Sequence, residues 1–312
     1  MVYIEFPHPD LLNDSSYIDW ISDRDEGKEP DWRRLFDWLG AHPRIGNGGD
    51  EVLENQLAKC WYSEKSVAGS HGKDIEHFRP KSRATTLTGK QAIAINKKLG
   101  FGINEEPSLT GGYSWLAFEP LNYRLSHPHS NRSGAKGAVF SILNGTNRLK
   151  VGNVPDPNQS SEYNFLLDPA NKKDCTCLWV YPNGEIFPRY TEADSFPEGK
   201  IEDIWESNAM QNIRAWVSII VYRLDHSDFN RGRKGVYLAT VEQIKQLKKA
   251  LELGLSDWVD TCTQNLARLG NQASQFALAA RCAMQDQSGL LGKSAVEKAT
   301  NKILAALLLS FQ

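Results

Sequence analysis

Hydrophobic and polar positions change their period three times along the chain. From 1 to 58 the spacing is helical. Trp32, Leu35, Phe36 and Leu39 share one face, with Asp31 at the N-cap position. After a Gly46-Asn47-Gly48-Gly49 break, Asp50 to Leu53 opens a second short helix, with Leu53 and Leu57 on one face. From 59 to 150 apolar runs are short and interrupted by glycines, and part of 88–99 reads as a helix. From 151 to 238 the pattern is mixed. Pro155, Pro157 and Asn158 mark a linker, and Cys177–Tyr181 with Gly184–Phe187 form a hairpin around Pro182-Asn183-Gly184. Cys175-Thr176-Cys177 is expected in the strand with Leu178, Trp179 and Val180. A helix is expected across 203–224, through Ile204, Trp205, Ile213, Trp216, Ile220 and Leu224. From 239 to 312 the chain is helical again, opened by capping-box patterns at Thr240–Gln243 and Ser294–Glu297. Trp258, Val259, Cys262, Leu266 and Leu269 form its apolar stripe. Ile303, Leu304, Leu307 and Leu308 form either core or a docking face. The fold class is α+β, four regions in a largely helical protein.

Composition narrows the class. At 312 residues the chain exceeds one typical core, and 40% hydrophobic with 24% charged residues is ordinary globular usage. The acidic start lacks the apolar run of a signal peptide, and Ile303–Phe311 is too short to span a bilayer. Five cysteines do not make a disulfide framework at this length. A cytoplasmic protein without a membrane partner is expected.

Net charge is −2, but residues 77–150 hold eleven Lys/Arg against three Glu, leaving the rest of the chain acidic. A local positive field suits a polyanionic partner; a solvated basic face is the plainer explanation.

The chemistry concentrates in Asp74-Ile75-Glu76-His77-Phe78-Arg79-Pro80-Lys81. On a strand, adjacent side chains point to opposite faces, so Glu76 and His77 can reach two sides of one reaction centre. A carboxylate holds a hard metal ion and an imidazole takes a proton from water, the division that metal-assisted phosphodiester hydrolysis needs. The plain structural alternative pairs Glu76 with Arg79 and buries His77 as a satisfied core residue. Asp74 would share a strand face with Glu76 and is the substitute ligand.

The order Cys60 … Glu76-His77 … Asn122 … Asn131 resembles the HNH (ββα-metal) nuclease family. The spellings CWYSE, IEHFRPKS, YSWLAFEPLNYRLS and SNR resemble the HNH subunit of Septu-type anti-phage systems, also found attached to some retrons. The resemblance covers roughly 53–140, with echoes to about 235. It implies a small ββα-metal unit within 59–150, with an insertion at about 82–112. It also implies His77 as general base, Glu76 and Asn131 as ligands of one Mg²⁺ or Mn²⁺, and Asn122 as the residue holding the site in register. Asp74 and His129 are further candidate ligands, and Arg79, Lys81, Arg124 and Arg132 candidate phosphate contacts. Asn122 and Asn131 taken singly would be turn or cap residues. Many relatives carry a zinc held by two Cys-x-x-Cys pairs. Here those positions read Cys60-Trp61-Tyr62-Ser63 and His127-Pro128-His129-Ser130, which leaves Cys60 and either His127 or His129 as ligands, so a structural zinc is not expected. Trp61, Tyr62, Trp115 and Phe118 are expected to pack in its place.

The expected activity is a metal-dependent endonuclease of bacterial defence acting on nucleic acid, DNA favoured. The resemblance implies an ABC/SMC-like ATPase partner. The alternatives are a ribonuclease acting on tRNA or other RNA, and a catalytically degenerate interaction subunit. A sequence-reading restriction nuclease ranks lower, because no base-reading module is recognisable.

Overall fold

The computed structural model describes residues 1–28, 31–41, 59–67, 72–132, 134–146, 148–154, 162–190 and 200–288. The short helix expected at Asp50–Leu53, the linker at Pro155–Asn158, the capping box at Ser294 and the apolar end at Ile303–Leu308 lie outside them.

The described residues are mixed helix and small antiparallel sheets. It opens with α1 (Ser15–Asp25), whose first turn is capped by the Asp14 carboxylate accepting from Ser16 N–H at 2.8 Å, and α2 (Trp32–Ala41). Leu35 and Leu39 of α2 are buried, as the apolar stripe requires. Three two-stranded sheets follow among the described residues. β1 (Asp74–His77) is followed by β2 (Arg83–Ala84), α3 (Gly89–Leu99) and β3 (Leu109–Thr110). β4 (Tyr123–Ser126) then returns to β1 and leads into a one-turn helix, α4 (Pro128–Asn131). The hairpin of β5 (Leu178–Val180) and β6 (Ile186–Pro188) precedes α5 (Ile201–Glu206), α6 (Asn208–Val221), α7 (Ser227–Leu253), α8 (Ser256–Gly270) and α9 (Ala277–Asp286). No described helix is long and apolar enough to cross a membrane.

Local rules account for several boundaries. Thr88 and Gln91 form a reciprocal capping box at the start of α3, and Gly100 ends it in the left-handed region at φ 81°. The hairpin turn needs Gly184 at φ 84°, where an added Cβ would collide with the Asn230 carbonyl.

Three expectations are corrected. Thr240 does not start a helix: α7 runs unbroken from 227 to 253, and the Thr240 hydroxyl donates back to the Val236 carbonyl at 2.8 Å. The helix across 203–224 is two helices, because the Ser207 side chain caps α6 by accepting from Met210 N–H at 3.2 Å. Cys175 lies inside a 3-10 turn (Asp174–Thr176) and Cys177 caps its end, so neither extends β5.

The main core joins the N-terminal segment, the β1–β4 pair, the 165–180 region, α6 and α9. A smaller core of Ile244, Leu247, Cys262, Leu266, Ala280 and Met284 holds α7, α8 and α9 together. All five cysteines are buried and unpaired.

Candidate active site

The β1–β4 pair sets the site. Its register places Asp74 opposite Ser126, Glu76 opposite Arg124 and His77 opposite Tyr123, with α4 directly after β4. Residues 74 and 122–131, far apart in sequence, therefore meet on one edge.

His77 is half-buried. Its Nε2 lies 3.0 Å from the Ala117 carbonyl, which also accepts the Tyr123 hydroxyl at 2.5 Å, and its ring stands edge-on to Tyr123 at 5.0 Å. A carbonyl only accepts, so Nε2 carries the proton and the neutral ring keeps its lone pair on Nδ1. Burial pushes this imidazole below its ordinary basicity. The Lys81 and Lys136 ammoniums push the same way, against the Ala117 carbonyl and Glu76. At neutral pH the ring is uncharged and basic.

Asn122 is fully buried and works as a splice. Its Oδ1 accepts from Arg79 N–H at 2.8 Å, and its Nδ2 donates to the Arg79 carbonyl at 2.9 Å. Its own carbonyl accepts from Phe78 N–H at 2.7 Å. The loop leaving His77 is thus fixed to the approach to β4. Gly112, at φ 53°, lets the neighbouring backbone close onto Pro80, whose carbonyl accepts from Tyr113 N–H at 2.8 Å.

Asp74 and Asn131 form the oxygen-donor corner. The Asn131 amide approaches an Asp74 carboxylate oxygen at 3.3 Å, and Arg132 grips the same carboxylate at 2.6 and 3.0 Å. Which end of the Asn131 amide faces Asp74 is fixed only by its hydrogen-bond partner. The Asp74 carboxylate and the side-chain oxygen of Asn131 are donors of the type that a hard divalent ion takes.

Glu76 stands elsewhere. It is 3% exposed, accepts from the Tyr62 hydroxyl at 2.5 Å and is ion-paired with Lys136, whose ammonium also donates to the His77 carbonyl at 3.1 Å. Tyr62 in turn stacks on Tyr222 at 4.1 Å. Among the described residues, the structure therefore brings Asp74, Asn131 and Arg132 together and turns Glu76 into the interior.

The candidate phosphate contacts divide likewise. Arg79 pairs with Glu162 at 2.6 Å, and Arg124 makes a two-point pair with Asp168 at 2.6 and 2.7 Å; all four residues are buried. Lys81 and Arg132 are exposed. Three of the eleven cations counted in 77–150 (Arg79, Arg124, Lys136) are neutralised inside the protein by acids from outside that stretch. A linear charge count had no means of seeing this. The same network extends to a polar cavity of about 230 Å³ beside Arg79, Glu162, Asp168, Asp174 and Arg214, whose charges largely pair with one another.

Where relatives place zinc ligands, Cys60 Sγ accepts from Ser63 N–H at 3.4 Å, and Trp61 N–H donates to the Leu125 carbonyl at 2.8 Å. Trp61 and Tyr62 are buried and tie this segment to β4 and β1 respectively, whereas Phe118 is exposed. Arg233, in the basic cluster after 230, is buried against the Gly184 and Leu224 carbonyls. His127 caps α4, its Nδ1 accepting from His129 N–H at 3.1 Å, and burial pushes its ring down to about 4.

The chain is 32% identical over 126 residues to the Septu protein PtuB of Bacillus mycoides (strain KBAB4). The matched stretch is 39% of this chain and 36% of that protein, so the chain spans little more than a third of the curated relative it matches. No family model and no solved structure matches the chain.

Proposed function

We propose that the chain is a metal-dependent endonuclease of the HNH type, working in a Septu-related bacterial anti-phage system. The observation that carries the proposal is His77: an uncharged imidazole, held by the Ala117 carbonyl so that Nδ1 is basic, on the strand that pairs with β4 just before α4. The likeness to the Septu protein PtuB supports the defence setting.

In this scheme His77 Nδ1 takes a proton from a water molecule as the water oxygen attacks phosphorus, and the bond to the leaving 3′ oxygen breaks. Asp74 and Asn131 hold a divalent ion, which when bound supplies charge neutralisation at the scissile phosphate. Asn122 keeps His77 and the β4 edge in register through the Arg79 backbone. Arg132 and Lys81 are the exposed cations of the original set and contact non-bridging oxygens. Glu76 keeps a supporting place, neutralised by Lys136 beneath the strand. A partner ATPase of the ABC/SMC-like kind belongs to the same proposal.

The test is cleavage of duplex DNA, single strands and tRNA with Mg²⁺ or Mn²⁺, wild type beside His77→Ala. Metal-dependent cleavage of DNA, lost in His77→Ala, supports it. Cleavage confined to tRNA makes the chain a ribonuclease. A His77→Ala protein that protects cells as well as wild type makes it an interaction subunit.

A further inference from the structure

The two helix starts that face each other, α4 and α7, carry an arrangement that the proposed hydrolysis does not use. His129 is the second residue of α4; His226 is the N-cap of α7 and Asp228 its second residue. One nitrogen of each imidazole and a carboxylate oxygen of Asp228 all lie within 4.8 Å of one another, although 97 residues separate His129 from His226. From this geometry we infer that His129, His226 and Asp228 form a binding site for a divalent transition-metal ion, Zn²⁺ foremost.

Three observations besides proximity support the site. The Nδ1 of His129 is buried and has no hydrogen-bond partner among the described residues, which is costly for an imidazole nitrogen unless something else engages it. The Nδ1 of His226 is weakly committed. It accepts a long 3.3 Å bond from Asp228 N–H and lies 4.0 Å from an Asp228 carboxylate oxygen. The rings are also pre-oriented. His129 packs on His226 at 4.4 Å and on His127 at 4.8 Å, and fully buried Phe229 forms the floor, 5.5 Å from His226 and 6.1 Å from His129.

The donor chemistry selects the ion. Two imidazoles and one carboxylate suit zinc, nickel or cobalt, whereas Mg²⁺ and Ca²⁺ prefer oxygen sets. Three protein ligands leave a fourth position for water. Closing onto zinc at about 2.0–2.1 Å from each donor needs a contraction of roughly an ångström. Half-exposed side chains can supply that by rotamer adjustment. Lys65 and Arg223 carry positive charge near His129 and weaken the site, while Asp228 offsets them. The ligands exclude Cys60, Ser63, His127 and Ser130, and also Asp74 and Asn131; His129 lies inside the stretch from His127 to Ser130, between its two end positions. The ion would pin the one-turn helix that ends in Asn131 to the start of the longest helix, so it is a structural clamp.

The test uses full-length protein stripped with a chelator and titrated with Zn²⁺ alone, followed by metal content and thermal melting. One zinc per chain and a rise in melting temperature of about 5 °C at saturating Zn²⁺ are expected. Loss of a ligand should cost at least what loss of a supporting partner costs. His129→Asn and His226→Asn are therefore expected to bind Zn²⁺ on the order of a hundredfold more weakly, and Asp228→Asn about tenfold. His226→Asn keeps a side-chain acceptor at the helix start, so its fold is retained. Replacement with Co²⁺ gives an independent readout, visible d–d bands of a nitrogen–oxygen site without sulfur charge transfer. Absence of zinc uptake, undiminished uptake in both histidine variants, or a cobalt spectrum showing thiolate ligation would each overturn the site. None of these outcomes depends on nuclease activity.

Discussion

On the inner side of β1, Glu76 is 3% exposed and locked between Tyr62 and Lys136; along its rim, Asp74 and His77 keep access to solvent. Strand alternation alone does not produce this division, since Asp74 and Glu76 share one face of β1. What separates them is what lies opposite. Asp74 sits at the strand end beneath α4 and meets Asn131 and Arg132, whereas Glu76 lies under the main core. The rim therefore keeps groups that can exchange partners with a substrate or an ion. The interior keeps the same residue types as fixed posts, each charge neutralised by one neighbour.

The largest effect that would break this contrast is at His77. His77→Ala is expected to reduce cleavage by about 10²- to 10⁴-fold, the usual contribution of a positioned base. Its stability should change by less than about 1 kcal/mol, because the ring is only partly buried. Steady-state cleavage and urea unfolding on the same preparation separate the two. Retained cleavage would remove His77 from the chemistry.

Next comes Glu76→Gln. Removing one charge strands the Lys136 ammonium in the interior, at a cost of about 3–5 kcal/mol, read as a lower urea midpoint. The folded fraction is expected to keep its metal requirement. The opposite outcome, full stability with metal-dependent activity abolished, would make Glu76 the ligand that the family resemblance implies and would erase the division between rim and interior. Asp74→Asn ranks third. It should raise the Mg²⁺ or Mn²⁺ concentration for half-maximal cleavage by about 10- to 100-fold, with melting little changed.

Legibility from sequence follows the same boundary. Signals written in adjacent residues were readable: the helix within 88–99, the Pro182-Asn183-Gly184 turn and the apolar stripe of α8. Thr240 misled, because its pattern with Gln243 is also compatible with mid-helix, where the hydroxyl satisfies itself on the preceding turn. Ser207 split a helix that apolar spacing alone reads as continuous. Charges misled most. Arg79, Arg124 and Lys136 look like surface cations until Glu162, Asp168 and Glu76 are seen against them. His226 and Asp228 carried no signal, since their meaning arises only when α7 starts beside α4.

The smallest expected effect is a pH shift, and its sign follows from the partners of His77. Burial and the Lys81 and Lys136 ammoniums hold the ring below the ordinary value near 6.5, so the neutral, basic form persists as pH falls past that point. The acid limb of the cleavage rate should therefore have its midpoint below 6.5. A depressed histidine also lowers stability toward acid. The unfolded ring takes its proton near 6.5 while the folded ring does not, so stability declines from there until pH passes the folded value. Lys81 is exposed, so Lys81→Ala removes one depressing charge without disturbing the fold and should move the acid limb upward. The move should be clearest at low ionic strength and fade as salt screens the pair. An acid limb that stays in place at low salt would mean that burial, not the charge at the rim, sets the basicity of His77.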